Sequence, residues 1–460
     1  MAEPIELAYA GLPDTVRRVI VTLREAGHEV VLVGGCVRDR LFGAPHDSWD
    51  WDAATSAGPE AVEALFPHTT WENRFGTVTV RGNPPVEVTS FRTEGPYRDA
   101  RRPSEVRFGA GLEDDLARRD FTINAIAWAP VDLDAAEPRG TVIDPFGGLA
   151  DLEERVLRTV GDPRQRFAED ALRLIRAARF AGRFDLALDP DTEGAIIELA
   201  PAVASVSAER VRDELGRIVA LDPTPSRALR LLERLGLMRA VLPELVALRG
   251  VRQDKPVAGD ALDHTLAAVD AAPPSSPLDA RLAALLHDIG KATTMANGHF
   301  IGHEDVGADM AVRVLVRLRV PRGRIDRIAG AIRHHMYHYD ASWTDAAVRR
   351  FIRRTDGVDR DLLFALRRAD NAASGVVLAG ERNQEELERR IAEEIERQPG
   401  LLVDRRLAID GHDLQRELGL APGPRIGRVL DGLTEAVLDD PSCNERGALL
   451  TLARRLAALR

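Results

Sequence analysis

Strand-forming patterns are confined to the first third of this 460-residue chain, and that asymmetry limits the folds open to it. Within residues 1–150 the runs Glu29–Val33, Thr77–Val80 and Val86–Thr89 are β-rich, and Pro, Gly or Asn interrupts them. From about residue 151 an Ala/Leu/Arg-rich helical periodicity runs to the end. The fold class expected is therefore α+β: a small α/β head followed by an elongated all-α region. At roughly 100–200 residues per domain, the length predicts three or four domains. Turn-prone breaks at Pro145–Gly148, Leu221–Pro225, Val251–Gly259 and Ala272–Pro277 suggest a head at 1–150, a neck at 151–250, a third domain at 251–375 and a tail at 376–460.

Composition excludes several classes. Hydrophobic residues make up 45% of the chain, enough for several packed cores and too many for a disordered chain. Two cysteines, Cys36 and Cys443, are too few for a disulfide framework or a cysteine-built zinc site. The start MAEPIELAYA lacks the basic and apolar regions of a signal peptide, and no apolar run reaches about 18 residues. A cytoplasmic protein with no membrane partner is expected. The net charge of −11, from 62 basic and 73 acidic residues, argues against a polyanionic partner only on average. The stretch RQRFAEDALRLIRAARFAGR (164–183) holds six Arg against two acids, so a local surface can still bind RNA.

The segment EVVLVGGCVRDR reads as a buried strand that breaks at Gly34-Gly35 and continues as a helix. A glycine pair at such a junction lets backbone N–H groups approach a phosphate, and Arg38 in the first turn adds a charge. Tight turns use glycine pairs as readily, so the pair alone decides nothing. Asp50-Trp51-Asp52 adds more: residues i and i+2 of a strand share a face, so two carboxylates converge. Such a pair suits Mg²⁺ ions, though an isolated DxD can equally be a solvated turn. Glu87, between Val86 and Val88, is expected on a buried face as a third acid needing a partner. This set suits phosphoryl transfer.

The ordered motifs GGCVRD (34–39), DWDAAT (50–55), RTEGPYRDARRP (92–103), RRDFTINAIA (118–127), DPFGG (144–148) and EDALRLIRAARF (169–180) resemble those of bacterial-type (class II) tRNA nucleotidyltransferases. These are the CCA-adding enzymes and their poly(A) polymerase relatives. The resemblance implies a polymerase β-like nucleotidyltransferase head in which Asp50 and Asp52 bind Mg²⁺ and Glu87 assists. It implies a nucleotide pocket with Gly34, Gly35, Arg38, Arg119, Asp120 and Asn124, in which Arg119 and Asp120 contact the ribose. The stretch GAPHDSWDWD is longer than the family's usual loop, so Asp47 competes for a place in the acid pair.

Asp170 and Arg173 lie i and i+3 on a strong helical pattern and are expected to share a face. By itself such a pair is a surface salt bridge contributing a few tenths of a kcal/mol. The resemblance gives it the reading of the incoming base, with Arg176 and Arg179 alongside. The chemistry fits. An ionised Asp only accepts and an Arg only donates, which matches the amino donor and ring-nitrogen acceptor shared by cytosine and adenine. Uracil and guanine reverse that order. Residues 92–108 match the family's flexible loop and favour a full CCA-adder. Arg164, Arg166, Arg183, Arg210 and Arg212 offer phosphate contacts to the tRNA 3′ end, although Arg-rich helices arise equally from a GC-biased genome.

A second constellation lies at 260–370: His264, His287-Asp288, His303, His334-His335 and Asp370. Imidazoles with carboxylates suit a transition metal such as Ni²⁺, Co²⁺ or Mn²⁺. The order resembles the HD phosphohydrolase superfamily. It implies His264, His287, Asp288 and Asp370 at one metal and His303 with His334 at a second, with the choice between His334 and its neighbour His335 left open. The stretch GHDLQRELGLAPGPRIGRVL (411–430) resembles the tail of HD-bearing CCA-adders, its Pro-Gly-Pro being either an RNA-phosphate contact or a turn. The function expected is CCA addition from CTP and ATP, with a phosphohydrolase as a further activity. The alternatives are a poly(A) polymerase or partial adder, and a metal phosphohydrolase with an RNA-binding head. Oligomeric state is not legible.

Overall fold

The computed structural model describes residues 5–43, 50–71, 76–95, 106–253, 259–375, 378–402 and 407–458. The chain divides into two compact units, Met1–Val246 and Ala247–Arg460. Asp47 and most of the 92–108 loop lie outside the described residues.

The first unit begins with an eight-stranded sheet. Its strands are β1 (Glu6–Ala8), β2 (Val30–Val33), β3 (Trp51–Thr55), β4 (Thr69–Trp71), β5 (Thr77–Val80), β6 (Val86–Ser90), β9 (Ala127–Asp132) and β10 (Arg139–Ile143), in the order β1-β10-β9-β2-β3-β6-β5-β4. A separate ribbon pairs β7 (Arg92–Glu94) with β8 (Val106–Phe108). All four residues of β2 are buried, as expected of a central strand covered on both faces. The helix α1 (Asp14–Glu25) packs Val16, Val19, Ile20 and Leu23 into the core on one face of the sheet. Strand β6 alternates, with Val86, Val88 and Ser90 buried and Glu87 exposed. The expectation of a buried Glu87 is thus corrected: period-two alternation turns it away from its valine neighbours. Strands β9 and β10 carry weak signals because Pro130 interrupts the first, opposite a register shift at Arg139/Gly140.

Between β2 and β3 runs α2 (Gly35–Leu41). Beyond the sheet the unit becomes helical through α3 (Pro163–Glu169), α4 (Leu172–Phe184), α5 (Ala208–Leu221) and α6 (Pro225–Arg234), with α4 packed on α5 and α6.

The described residues of the second unit form helices and no named strand. Helices α7 (Ala261–Ala271), α8 (Leu278–Leu286), α9 (His303–Arg317), α10 (Arg322–His334) and α11 (Arg360–Ala373) pack on one another. The tail motif falls on Gly411–Leu418, which ends at the left-handed Gly419, and on Pro424–Asp439, which Pro424 opens. Among the described residues no helix is long and apolar enough to cross a membrane.

Candidate active sites

The first unit gathers its acids at the start of β3. That strand pairs in parallel with β6 in a register that sets Asp52 directly beside Glu87. Asp50 stands immediately before the strand, exposed, and near enough that its charge acts on the Asp52 carboxyl. Burial pushes the Asp52 carboxyl up to about 7; Glu87 and Asp50 push the same way, while Arg119 opposes them. An all-oxygen set whose members resist carrying charge together is what a hard divalent cation relieves.

Gly34 makes the close approach to this set. Its φ of +71° is a left-handed conformation, and a Cβ there would sit 2.9 Å from Arg119 Nη1 and 3.4 Å from Asp52 Oδ2. Only glycine fits between the guanidinium and the carboxylate. Gly35 then opens α2.

Arg38 does not face outward toward a phosphate. It is buried, donates to Asp39 at 2.8 Å and to Asn124 Oδ1 at 2.6 Å, and lies over the rings of Phe180 and Phe184. Its charge is spent on orienting Asn124, whose amide donates to Asp120 at 3.0 Å. Asp120 also meets Arg176 at 2.7 Å. Burial alone would raise its carboxyl, but Arg176, Asn124 and Arg173 hold it well below the usual carboxylate range. Arg119 donates to the Asn124 carbonyl at 3.2 Å.

The expected i,i+3 pairing of Asp170 with Arg173 is absent. Asp170 is extended and ends α3, and its Oδ1 accepts the Leu172 N–H at 3.1 Å as α4 begins. A short acid that bonds the chain locally breaks a pattern that otherwise reads as continuous helix. Arg210 from α5 clasps both Asp170 oxygens, at 3.0 and 2.6 Å. Arg173 instead reaches Glu169 at 2.6 Å and the carbonyls of Arg166 and Arg118 at 3.0 and 3.1 Å. With about four acceptor sites on a carboxylate and five donors on a guanidinium, these bonds leave one acceptor and two donors.

Two other expectations change. Arg179 is buried against α5, where Glu214 meets its charge, and it stacks on Phe180. Arg166 and Arg210 turn into the protein instead of toward RNA. Arg164 is exposed and pairs with Glu198, Arg212 pairs with Asp213, and Arg183 lies over Phe184. Glu169, the first residue of the EDALR motif, is the acid that Arg166 and Arg173 share.

The second unit buries four histidines and two aspartates together, His264, His287, Asp288, His303, His335 and Asp370, with Lys291 beside them. His264 Nε2 lies 3.0 Å from Asp370 Oδ1 and 3.6 Å from Asp288 Oδ2. His287 Nε2 lies 3.2 Å from Asp288 Oδ2, and His303 Nε2 lies 3.4 Å from Asp288 Oδ1. His264, His287 and Asp370 form one group with ligand spacing, and His287, Asp288 and His335 another. His335 therefore replaces the expected His334. The latter stands at the end of α10, bonded to the carbonyls of Gly330 and Arg354. One residue of helix rotates a side chain by about 100°, so only one of two adjacent histidines can face inward.

The fit to a metal rests on the ring nitrogens. His287, His303 and His335 each engage a backbone carbonyl through Nδ1, those of Ala284, Phe300 and Ile332. Their Nε2 atoms are buried, make no well-formed hydrogen bond and face the Asp288 carboxylate at 3.2, 3.4 and 4.0 Å respectively. Fixing Nδ1–H leaves the Nε2 lone pairs aimed inward, the arrangement that second-shell bonds impose on metal-ligating histidines. Burial, with help from His287, pushes His335 down to about 3, so its imidazole is neutral and able to ligate. Lys291, three residues past Asp288 and absent from the expected set, donates to Asp288 Oδ2 at 2.6 Å.

Four family models match successive stretches of the chain. The Poly A polymerase head domain matches residues 30–158 and the probable RNA and SrmB-binding site of polymerase A matches 185–248. The HD domain matches 260–396 and the putative tRNA nucleotidyltransferase domain 2 matches 372–453. The A-adding tRNA nucleotidyltransferase of Deinococcus radiodurans is 35% identical over 423 residues, covering 88% of this chain and 90% of that protein. The chain belongs to the bacterial-type CCA-adding enzyme and poly(A) polymerase family. Within this family, the CCA-adding enzyme of Geobacillus stearothermophilus is 46% identical over 229 residues. That match spans 49% of this chain and about half, 54%, of the relative. The crystal structure of the Bacillus stearothermophilus CCA-adding enzyme with CTP superimposes with a TM-score of 0.69 at 30% identity, covering 96% of this chain and 98% of that one. The family's head and HD domains both imply divalent metals, and the buried histidine–aspartate groups are candidate ligands here.

Proposed function

We propose that the protein adds C, C and A to tRNA 3′ ends from CTP and ATP, in the cytoplasm and without a nucleic-acid template. The register of β3 against β6, which sets Glu87 beside Asp52, carries this reading, with Asp50 acting on the same carboxyl from just before the strand. Asp50, Asp52 and Glu87 would hold Mg²⁺, which when bound neutralises charge on the attacking hydroxyl and the leaving pyrophosphate. Arg119, Asp120 and Asn124 orient the ribose. The spare acceptor on Asp170 takes the amino group of C or A, and a spare donor on Arg173 meets the ring nitrogen. A reversed edge leaves these groups unpaired, and such sites can discriminate by about 10⁴–10⁵. Arg164, Arg183 and Arg212 remain for tRNA phosphates.

In the second unit His264, His287, Asp288, His303, His335 and Asp370 would hold a transition metal, Ni²⁺, Co²⁺ or Mn²⁺. When bound it supplies Lewis acidity toward a phosphoester, such as a 2′,3′-cyclic phosphate. Against the cost of burial, His287, His303 and Lys291 together keep Asp288 ionised, and Lys291 orients it through its bond to Oδ2.

A second reading, addition of A alone, is favoured by the Deinococcus relative that matches along most of its length. The deciding experiment supplies tRNAs lacking three, two or one of the terminal nucleotides with each NTP separately. Extension of all three primers, with CTP used first and ATP last, establishes CCA addition. Extension of only the last primer, with ATP, establishes A addition. No extension of any primer overturns both.

A further inference from the structure

Arg166 occupies a hub between the two selective parts of the nucleotide pocket. Its side chain is 14% exposed. Its Nε donates to the Val160 carbonyl at 3.1 Å, its Nη1 to Glu169 at 2.9 Å and its Nη2 to the Ala117 carbonyl at 2.8 Å. Each partner leads to a different reader. Glu169 shares the same carboxylate oxygen with Arg173, the base-reading guanidinium. Ala117 immediately precedes Arg118–Asp120, the ribose-reading segment. Val160 donates its own N–H to the Asp120 carbonyl at 3.2 Å, so it holds that segment from the other end. Arg173 closes the circuit by donating to the Arg118 carbonyl.

We propose that Arg166 is a positioning residue that holds the base-reading Arg173 and the ribose-reading Arg118–Asp120 segment in one register, so that base and sugar selection rise and fall together. The inference rests on the reading of this pocket as a nucleotidyltransferase site. Without Arg166, Glu169 pulls on Arg173 alone, and the Ala117 and Val160 carbonyls lose a donor in a part-buried place. Neither the segment nor Arg173 then keeps its present position. A lysine keeps the charge opposite Glu169 but is a point donor on a flexible stem and cannot span three acceptors in fixed directions.

The test compares wild type, Arg166→Gln and Arg166→Lys in single-nucleotide addition to tRNA. It measures kcat/KM for CTP, UTP and dCTP, with tRNA affinity across a salt series. For Arg166→Gln both the CTP/UTP and the CTP/dCTP ratios should fall at least tenfold, with tRNA affinity and its salt slope within twofold of wild type. Arg166→Lys should lie between, and it supplies the same two ratios where the glutamine variant does not fold. A change in one ratio without the other, or in neither, overturns the coupling. Weaker tRNA binding with a shallower salt slope overturns it too, because that is the signature of a phosphate contact. A wild-type protein that does not prefer CTP over UTP overturns the reading of the pocket itself.

Discussion

The Asp170 carboxylate accepts three bonds from protein donors, and none comes from the Arg173 side chain, which meets Asp170 only through its backbone N–H on the Asp170 carbonyl. Side-chain spacing along a helix could not reveal this, because the helix stops at Asp170 and the guanidinium that clasps it comes from 40 residues away. The acids at the start of β3 are different: Asp50 and Asp52 are two residues apart, and the charge of Asp50 acts directly on the Asp52 carboxyl. Asp50→Ala or Asp52→Ala should reduce nucleotide addition by at least 10³-fold while tRNA binding persists, since cationic side chains hold the RNA. Filter binding alongside a primer-extension assay checks both halves. Substantial addition by both variants would bring Asp47 forward. The adjacent histidines allow a sharper contrast. His335→Ala should lower metal affinity by about 10–100-fold or more, and His334→Ala should leave it unchanged. Metal analysis of the two purified variants decides between them.

At the scale of elements, the turn after α8 and the start of α9 meet backbone to backbone. A Cβ on Gly290 would lie 2.3 Å from the His303 carbonyl oxygen and 2.7 Å from the Gly307 nitrogen. Neither main-chain atom can swing aside. Gly290→Ala should therefore destabilise the second unit by about 1–3 kcal/mol and displace His303 from the histidine–aspartate cluster. Thermal melts with and without added Ni²⁺ would show a lower midpoint and a smaller gain from the metal. In the first unit α4 is held to the 118–120 segment by Arg176 and Asp120. Asp120 titrates below its unfolded value, so its contribution is present above about pH 4 and is lost as pH falls through the folded pKa. Arg176→Met strands a buried carboxylate, which costs about 3 kcal/mol at neutral pH. That penalty should shrink as the pH approaches 4 and the carboxyl protonates. Melting temperatures of both proteins between pH 7 and pH 4 test the sign; a constant difference would contradict the assignment.

At the scale of the whole molecule, each of the two units carries its own set of metal-type ligands. His287→Ala should abolish bound transition metal and any hydrolysis of a 2′,3′-cyclic nucleotide, and leave nucleotide addition near wild type. Metal content plus hydrolysis under Mg²⁺, Mn²⁺, Co²⁺ and Ni²⁺ is the measurement. Loss of addition in the same variant would contradict the independence of the two sites. The sequence by itself determined the α+β class, the strand–Gly–helix entry at Gly34, the two acids at the start of β3 and the order of the histidine–aspartate residues that are candidate ligands. These are local matters: period-two alternation, glycine's freedom at positive φ and the chemistry of side chains each act within a few residues. Only the tertiary structure decided which of His334 and His335 turns inward, that Glu87 lies on the exposed face of β6 beside Asp52, and that Arg38, Arg166, Arg179 and Arg210 serve the protein's own acids and carbonyls. An arginine's five donors are satisfied by whatever acceptors the fold brings near, from residues tens of positions away, and no pattern in the chain around it encodes that choice.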